Sequence, residues 1–176
     1  MIELGHDSPE SAAMEGFPRA HCRVVASRTF EDDAYVLLDT GSPGQPYLYG
    51  SSCYRRDGRW FDAGSGSGPG WGQTSHDPDL GTLSFWGDAP ERIDTVRVEF
   101  EGTILEEPAR DGAYLLIWWR VPAPTEWPRI VAIRENGAWK PESQFGLALR
   151  VAGERGDVRG DTDRHVQPTS SAGATG

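Results

Sequence analysis

The sequence predicts an all-β fold, a single antiparallel β-sandwich, and three observations carry that reading. Residues 95–101 alternate strictly, with Val96, Val98 and Phe100 between Arg97, Glu99 and Glu101. That is the two-residue period of a half-solvated strand. Asp57-Gly58-Arg59-Trp60, Asp111-Gly112-Ala113-Tyr114 and Asn136-Gly137-Ala138-Trp139 repeat one pattern, an Asp or Asn, a Gly, any residue, then an aromatic. Asp-Gly and Asn-Gly supply the two positive-φ residues of a type I′ turn, whose twist matches that of a two-residue hairpin. No window of 11 or more residues places apolar side chains three and four apart, as a packed helix requires.

The elements follow in order. Residues 1–18 carry Glu3, Asp7, Glu10 and Glu15 with no Lys or Arg and read as a disordered acidic leader. Met14 is a second candidate start. The sandwich domain is expected over 19–152, with strands at 22–30, 34–40, 47–56, 59–63, 81–86, 95–101, 103–107, 113–121 and 129–134 and a short last one from Ala138. The run 113–119 is continuously apolar, so that strand is expected to be central and covered on both faces. Spacing near ten residues between turn signals favours a sandwich or barrel. Asp111, three residues before Tyr114 at the start of that strand, resembles the tyrosine corner of immunoglobulin-type sandwiches, which makes the fold loosely immunoglobulin-like. Residues 153–176 contain no aromatic residue and read as a disordered tail. Their two Arg-Gly-Asp triplets, from Arg155 and Arg159, read as a local duplication.

Composition bounds the function. Of 176 residues, 17 are Lys or Arg and 27 are Asp or Glu, a net charge of −10. Such a surface repels nucleic-acid phosphates and anionic lipid head groups. Nucleic-acid and membrane partners are therefore not expected, and a basic protein or a glycan suits the chain better. All the basic residues except Lys140 are Arg, which points to a GC-rich bacterial source. The N-terminus has no basic segment followed by an apolar one, and no run of 18 apolar residues occurs, so a cytoplasmic location is expected. Cys22 and Cys53 are then reduced, buried small residues. Two cysteines without clustered histidines make no metal site, and no cofactor fingerprint is present.

The Gly-rich stretch 64–72 has no Lys and no helical pattern after it, so it reads as a long loop rather than a phosphate cradle. Trp71 sits in that loop. His76 follows in Ser75-His76-Asp77-Pro78-Asp79, where neighbouring side chains point apart and Asp-Pro is turn chemistry. No nucleophile, base and orienting group come together in the sequence, and no catalytic residue is assigned. The seven tryptophans exceed what a bland domain needs. Trp71, Trp127 in a Pro-rich connection and the outward member of the adjacent Trp118–Trp119 pair are candidates for an aromatic platform of the kind that stacks on sugars or anchors proteins.

These observations lead to one expectation, a non-catalytic binding domain rather than an enzyme. An acidic inhibitor of a basic partner, the role played by bacterial immunity proteins, is its concrete form. The partner-binding residues are then Trp71, Trp127, Trp119, His76, Asp77 and Asp79. The alternative is a carbohydrate-binding domain or glycan hydrolase, with Asp77, Asp79 or Glu101 acting beside Trp71.

Overall fold

The computed structural model describes residues 5–42, 45–67 and 72–143. The described residues up to Glu142 belong to one compact unit. The tail expected over 153–176, and the stretch in which the 19–152 domain was expected to end, lie outside the described residues.

The unit is all-β and antiparallel, with three sheets. The first is a meander of β1 (Arg23–Phe30), β2 (Asp33–Asp39), β3 (Leu48–Arg56) and β4 (Arg59–Ser67). The second joins β5 (Gln73–Asp77), β6 (Thr82–Asp88) and β9 (Ala113–Trp118), in the order β5-β6-β9. The third orders β11 (Ala138–Pro141), β10 (Arg129–Glu135), β7 (Ile93–Phe100) and β8 (Thr103–Pro108) as β11-β10-β7-β8. Four consecutive strands in one meander are not the immunoglobulin order, in which the third strand crosses to the opposite sheet. Tyr114, the tyrosine-corner candidate, accepts the amide N–H of Gly72 at 2.9 Å.

Turn chemistry sets the register. Asp57-Gly58, Glu101-Gly102 and Asn136-Gly137 have φ values of 52°/77°, 49°/73° and 50°/81°, the paired positive angles of a type I′ turn. They close hairpins in which Arg56 faces Arg59, Phe100 faces Thr103 and Glu135 faces Ala138. Asp111-Gly112 has the same positive angles but closes only an isolated bridge between Arg110 and Ala113. Strand β8 before it pairs with β7 and β9 after it pairs with β6, so the third expected hairpin is a turn between sheets. A Cβ on Gly137 would meet nothing within 4 Å, which isolates the backbone effect there. Gly137→Val is expected to destabilise by about 1–3 kcal/mol through left-handed strain alone. Denaturant unfolding measures it, and a neutral result would exclude the turn.

The core divides at β2. Ala34, Val36 and Leu38 face one way, with Cys53 and Trp60, against Ala12 and Ala13. Tyr35 and Leu37 face the other way, with Leu48, against Trp86, Ala113 and Leu115 of the second sheet. Strand β2 is thus covered on both faces. Residues 113–118 of the apolar run form β9, which pairs only with β6 among the described residues. That strand is the edge of its ladder and not its centre. Its other face is still covered, since Tyr114 packs on Phe85 and Trp118 on Phe100. In β7, Val96, Val98 and Phe100 are buried and the intervening charges pair outside, Arg97 with Glu106 and Glu99 with Arg129.

The expected disordered leader is corrected by the same packing. Residues 9–13 form α1 (Pro9–Ala13). Ser8 caps it by accepting the Ser11 amide, with Pro at the first helical position and Glu10 in the first turn, a favourable helix start. His6 and Trp60 exchange two backbone hydrogen bonds of 2.8 and 2.9 Å, and Arg59 donates to the Gly5 carbonyl. Two buried alanines and a paired backbone dock this segment, with Asp7 and Glu15 exposed and Glu10 half-buried.

Candidate functional site

Where β3 and β4 run together, their facing residues are small: Gly50 lies opposite Gly66 and Ser52 opposite Gly64. Backbone without bulk leaves room, and a cleft of about 670 Å³ opens there. One wall is Gly50, Ser52 and Tyr54 of β3 with Asp62, Gly64 and Gly66 of β4. The opposite wall is Ser75, His76 and Asp77 of β5 with the turn Pro78-Asp79-Leu80, and the Tyr35 ring lies between. Residues 64–67, expected as loop, are therefore strand, and β5 is a strand that turn-like composition concealed.

Four polar side chains of the cleft are held. Asp77 Oδ1 accepts the amides of Asp79 and Leu80 at 3.0 and 3.1 Å, so this carboxylate builds the turn that carries Asp79. Asp62 Oδ1 accepts the Ser51 hydroxyl at 2.7 Å and the Gly64 amide at 3.2 Å. His76 Nε2 lies 3.2 Å from the Val121 carbonyl, which fixes the half-buried ring. The buried Tyr35 hydroxyl accepts from Trp86 Nε1 at 2.9 Å. Burial pushes that phenol above its usual range, against hydrogen bonds to Ser84 and Trp86 that pull it down. Among the described residues no Lys or Arg lines the cleft.

Behind the Pro78–Leu80 turn, Arg120 gathers three connections. Its guanidinium pairs with Glu31 at 3.2 Å and with the buried Asp33 at 2.7 Å, and donates to the Leu80 carbonyl at 3.2 Å. Arg120 holds a positive φ of 57° to do so. Burial pushes the Asp33 carboxyl up. Arg120 draws it back, while the negative charges of Asp32, Glu31 and Asp77 push it further up.

The residues singled out from sequence are thus partly assembled. His76, Asp77 and Asp79 share the cleft. Trp127 is 52% exposed and lines a different hollow with Glu99, Phe100, Glu101, Glu126 and Arg129. Trp119 is half-buried and stacks on Phe30 with ring centroids 5.9 Å apart. Trp71 lies outside the described residues. Glu101, a candidate hydrolase carboxylate, lies in the Trp127 hollow and not beside Asp77 and Asp79. Sequence reasoning missed Tyr35, Ser52, Tyr54 and Asp62. The signal was the glycine pair 64 and 66 on one strand opposite Gly50 on the next, small residues stacked at one level of a sheet.

Cys22 and Cys53 are both free and buried. Among the described residues no group of three or more His, Cys, Asp or Glu side chains is placed to hold a metal ion, and no helix is long and apolar enough to cross a membrane. Set against family models, curated proteins and solved structures, the chain matches none.

Proposed function

We propose that the chain is a non-catalytic binding domain of the bacterial cytoplasm that captures a basic protein partner, in the manner of an acidic inhibitor, through the cleft between β3–β4 and β5. One observation supports this above the rest: Asp62, Asp77 and Asp79 line the cleft, and among the described residues no Lys or Arg does. The overall charge of −10 adds a long-range field of the same sign, which speeds encounter with basic proteins. A hydrolytic role is less favoured, because Asp77 is engaged in its own turn and the His76 ring faces a backbone carbonyl.

The test uses octa-arginine as probe, with octa-glutamate and a glycan array beside it. Replacing Asp62, Asp77 and Asp79 together by Asn is expected to weaken octa-arginine binding about tenfold or more at low salt and to flatten its salt dependence. Replacing Glu101, Glu126 and Glu142 by Gln removes equal charge elsewhere and is expected to change affinity less than about threefold, by weakened screening-sensitive steering alone. Equal losses in both triple variants would reduce the effect to unspecific charge. Glycan binding with no peptide binding would replace the reading by the carbohydrate one.

A further inference from the structure

The cleft is a gap in the packing between two sheets. Directly opposed residues of an antiparallel pair point to the same side, so Gly50 with Gly66 and Ser52 with Gly64 share one side of the first sheet. That side faces the second sheet, because a Cβ on Gly50 would collide with the Tyr35 hydroxyl and lie 3.0 Å from Trp86 Nε1. Trp86 in turn fixes the facing side of the second sheet. Thr82, Ser84 and Trp86 alternate along β6, opposite Asp77, Ser75 and Gln73 of β5, and alternate residues share a side. Sheets packed face to face fill the space between them with interdigitated side chains, as Leu37, Leu48, Trp86 and Leu115 do. Gly50, Ser52, Gly64 and Gly66 contribute no more than one hydroxymethyl group, and about 670 Å³ stays open. The surfaces turned toward this space are polar, with Tyr35, Ser52, Ser75 and Asp77 in its lining. On the same side as Asp77, Thr82 is 2% exposed, and its Oγ1 has no hydrogen-bond partner among the described residues. A buried hydroxyl without a partner is uncommon in folded proteins.

We propose that this gap takes one arginine side chain of the basic partner, inserted between the sheets past Asp77 toward the Tyr35 and Thr82 hydroxyls. The proposal rests on the binding reading given above and names the group that anchors the partner. A single long side chain reaches acceptors that lie between two sheets, and a flat surface does not. Acidity selects a basic group, since among the described residues Asp77 and Asp79 line the space and no Lys or Arg does. The spread of acceptors selects arginine over lysine. A guanidinium carries a planar fork of N–H donors and is more weakly hydrated than an ammonium. It satisfies a carboxylate and several hydroxyl oxygens at once, where the compact ammonium gives up more water on entry. The Asp79 and Leu80 amides occupy Asp77 Oδ1, which holds the carboxylate in place and leaves Oδ2 to the incoming donor. Buried arginines of this kind are among the side chains that dominate protein interfaces.

Octa-arginine and octa-lysine carry equal charge, so capture by charge alone binds them alike. Both are titrated at one salt concentration into the full chain, which keeps residues 1–4 and 68–71 in place. Octa-arginine is expected to bind about tenfold or more tightly than octa-lysine. The side chain of Gly66→Leu enters open space from a backbone without positive φ. This variant is expected to reduce octa-arginine to the affinity of octa-lysine and to change octa-lysine less than about twofold. Thr82→Val keeps the shape and removes the unpartnered hydroxyl. It is expected to weaken octa-arginine about threefold or more while the melting temperature holds or rises, and it carries the test if Gly66→Leu does not fold. Equal affinities of the two peptides for the unaltered chain would overturn insertion and leave charge capture standing. An arginine preference that survives unchanged in the folded variant would place the preference outside the gap and overturn insertion as well. Binding of neither peptide would overturn both readings.

Discussion

Removal of residues 1–18 is expected to lower the melting temperature by about 10 °C or more. Helix α1 and its flanks cover a face of β2, β3 and β4 that carries Ala34, Val36, Leu38, Cys53 and Trp60, with Met14 and Phe17 packed at the margin. Exposing several fully buried aliphatic groups costs about 0.8 kcal/mol for each methylene returned to water. A loss of a few kcal/mol translates to roughly this shift for a domain near 140 residues. Two smaller contributions add to it: the His6–Trp60 bridge and the hydrogen bond from Arg59 to Gly5. Calorimetry of the full chain against a chain beginning at Arg19 gives the number. A second readout identifies the cause. The Cys53 thiol sits 3.6 Å from the Pro9 carbonyl, and burial pushes it up to about 12, a shift the Ser51 hydrogen bond opposes and the Asp62 and Glu10 charges reinforce. With the helix gone, Cys53 is expected to react with a thiol reagent in the folded protein. An unchanged melting temperature together with an inert Cys53 would mean that this face is not covered by the segment.

Gly50→Ala is expected to destabilise by about 2–4 kcal/mol, which is large for one methyl group. Its Cβ would collide with the Tyr35 hydroxyl and lie 3.0 Å from Trp86 Nε1. The obstacle is a rigid buried ring, so it has no flexible end to swing aside. Accommodation requires shifting Tyr35 and breaking the 2.9 Å bond from Trp86. Overpacking of this kind costs about 1–3 kcal/mol, and stranding a buried donor adds about 1–3 kcal/mol more. The double change with Tyr35→Phe is expected to recover part of the loss, since the nearest obstructing atom is gone, and the pair should depart from additivity. Gly66→Ala is the control, on the facing strand but in open space. Urea unfolding of the unaltered chain, the two single variants, the double variant and the Gly66→Ala control settles it. A neutral Gly50→Ala would show that the Tyr35–Trp86 pair does not occupy this position.

The strands were legible where one physical signal dominated. In 95–101 each apolar residue alternates with a charged one, and the observed β7 buries Val96, Val98 and Phe100. Asp57-Gly58 and Asn136-Gly137 announced hairpins because few other dipeptides accept two successive positive φ angles. Glu101-Gly102 makes the same turn but was not read as one, since Glu has no left-handed preference and only the pairing of β7 with β8 holds it there. The run 113–119 revealed that both faces are covered, yet hydrophobicity reports burial and says nothing of how many neighbours a strand has. Strand β5 was hidden by Ser75-His76-Asp77-Pro78, residues at home in turns; its strand form comes from the ladder with β6.

The leader and the cleft failed to show for opposite reasons. Ser8-Pro9-Glu10 carries the chemistry of a helix start, but five residues are too short for an apolar periodicity to show. Only tertiary contact reveals that Ala12 and Ala13 are buried. In the cleft, His76, Asp77 and Asp79 were visible as a cluster of polar types. Tyr35, Ser52, Tyr54 and Asp62 were not, because nothing in a linear sequence places β3 and β4 across from β5.

Arg120 has a thermodynamic consequence for the cleft. Its guanidinium joins the Glu31 turn, the start of β2 at Asp33 and the Leu80 carbonyl, while Val121 donates to the Gly81 carbonyl and receives His76. The Pro78–Leu80 rim is thereby ordered before anything enters. Ordering side chains and loops at an interface consumes about 0.5–1.5 kcal/mol per mobile side chain. On this wall that entropy was already surrendered when the chain folded, so an incoming molecule forfeits its own freedom and little of the protein's.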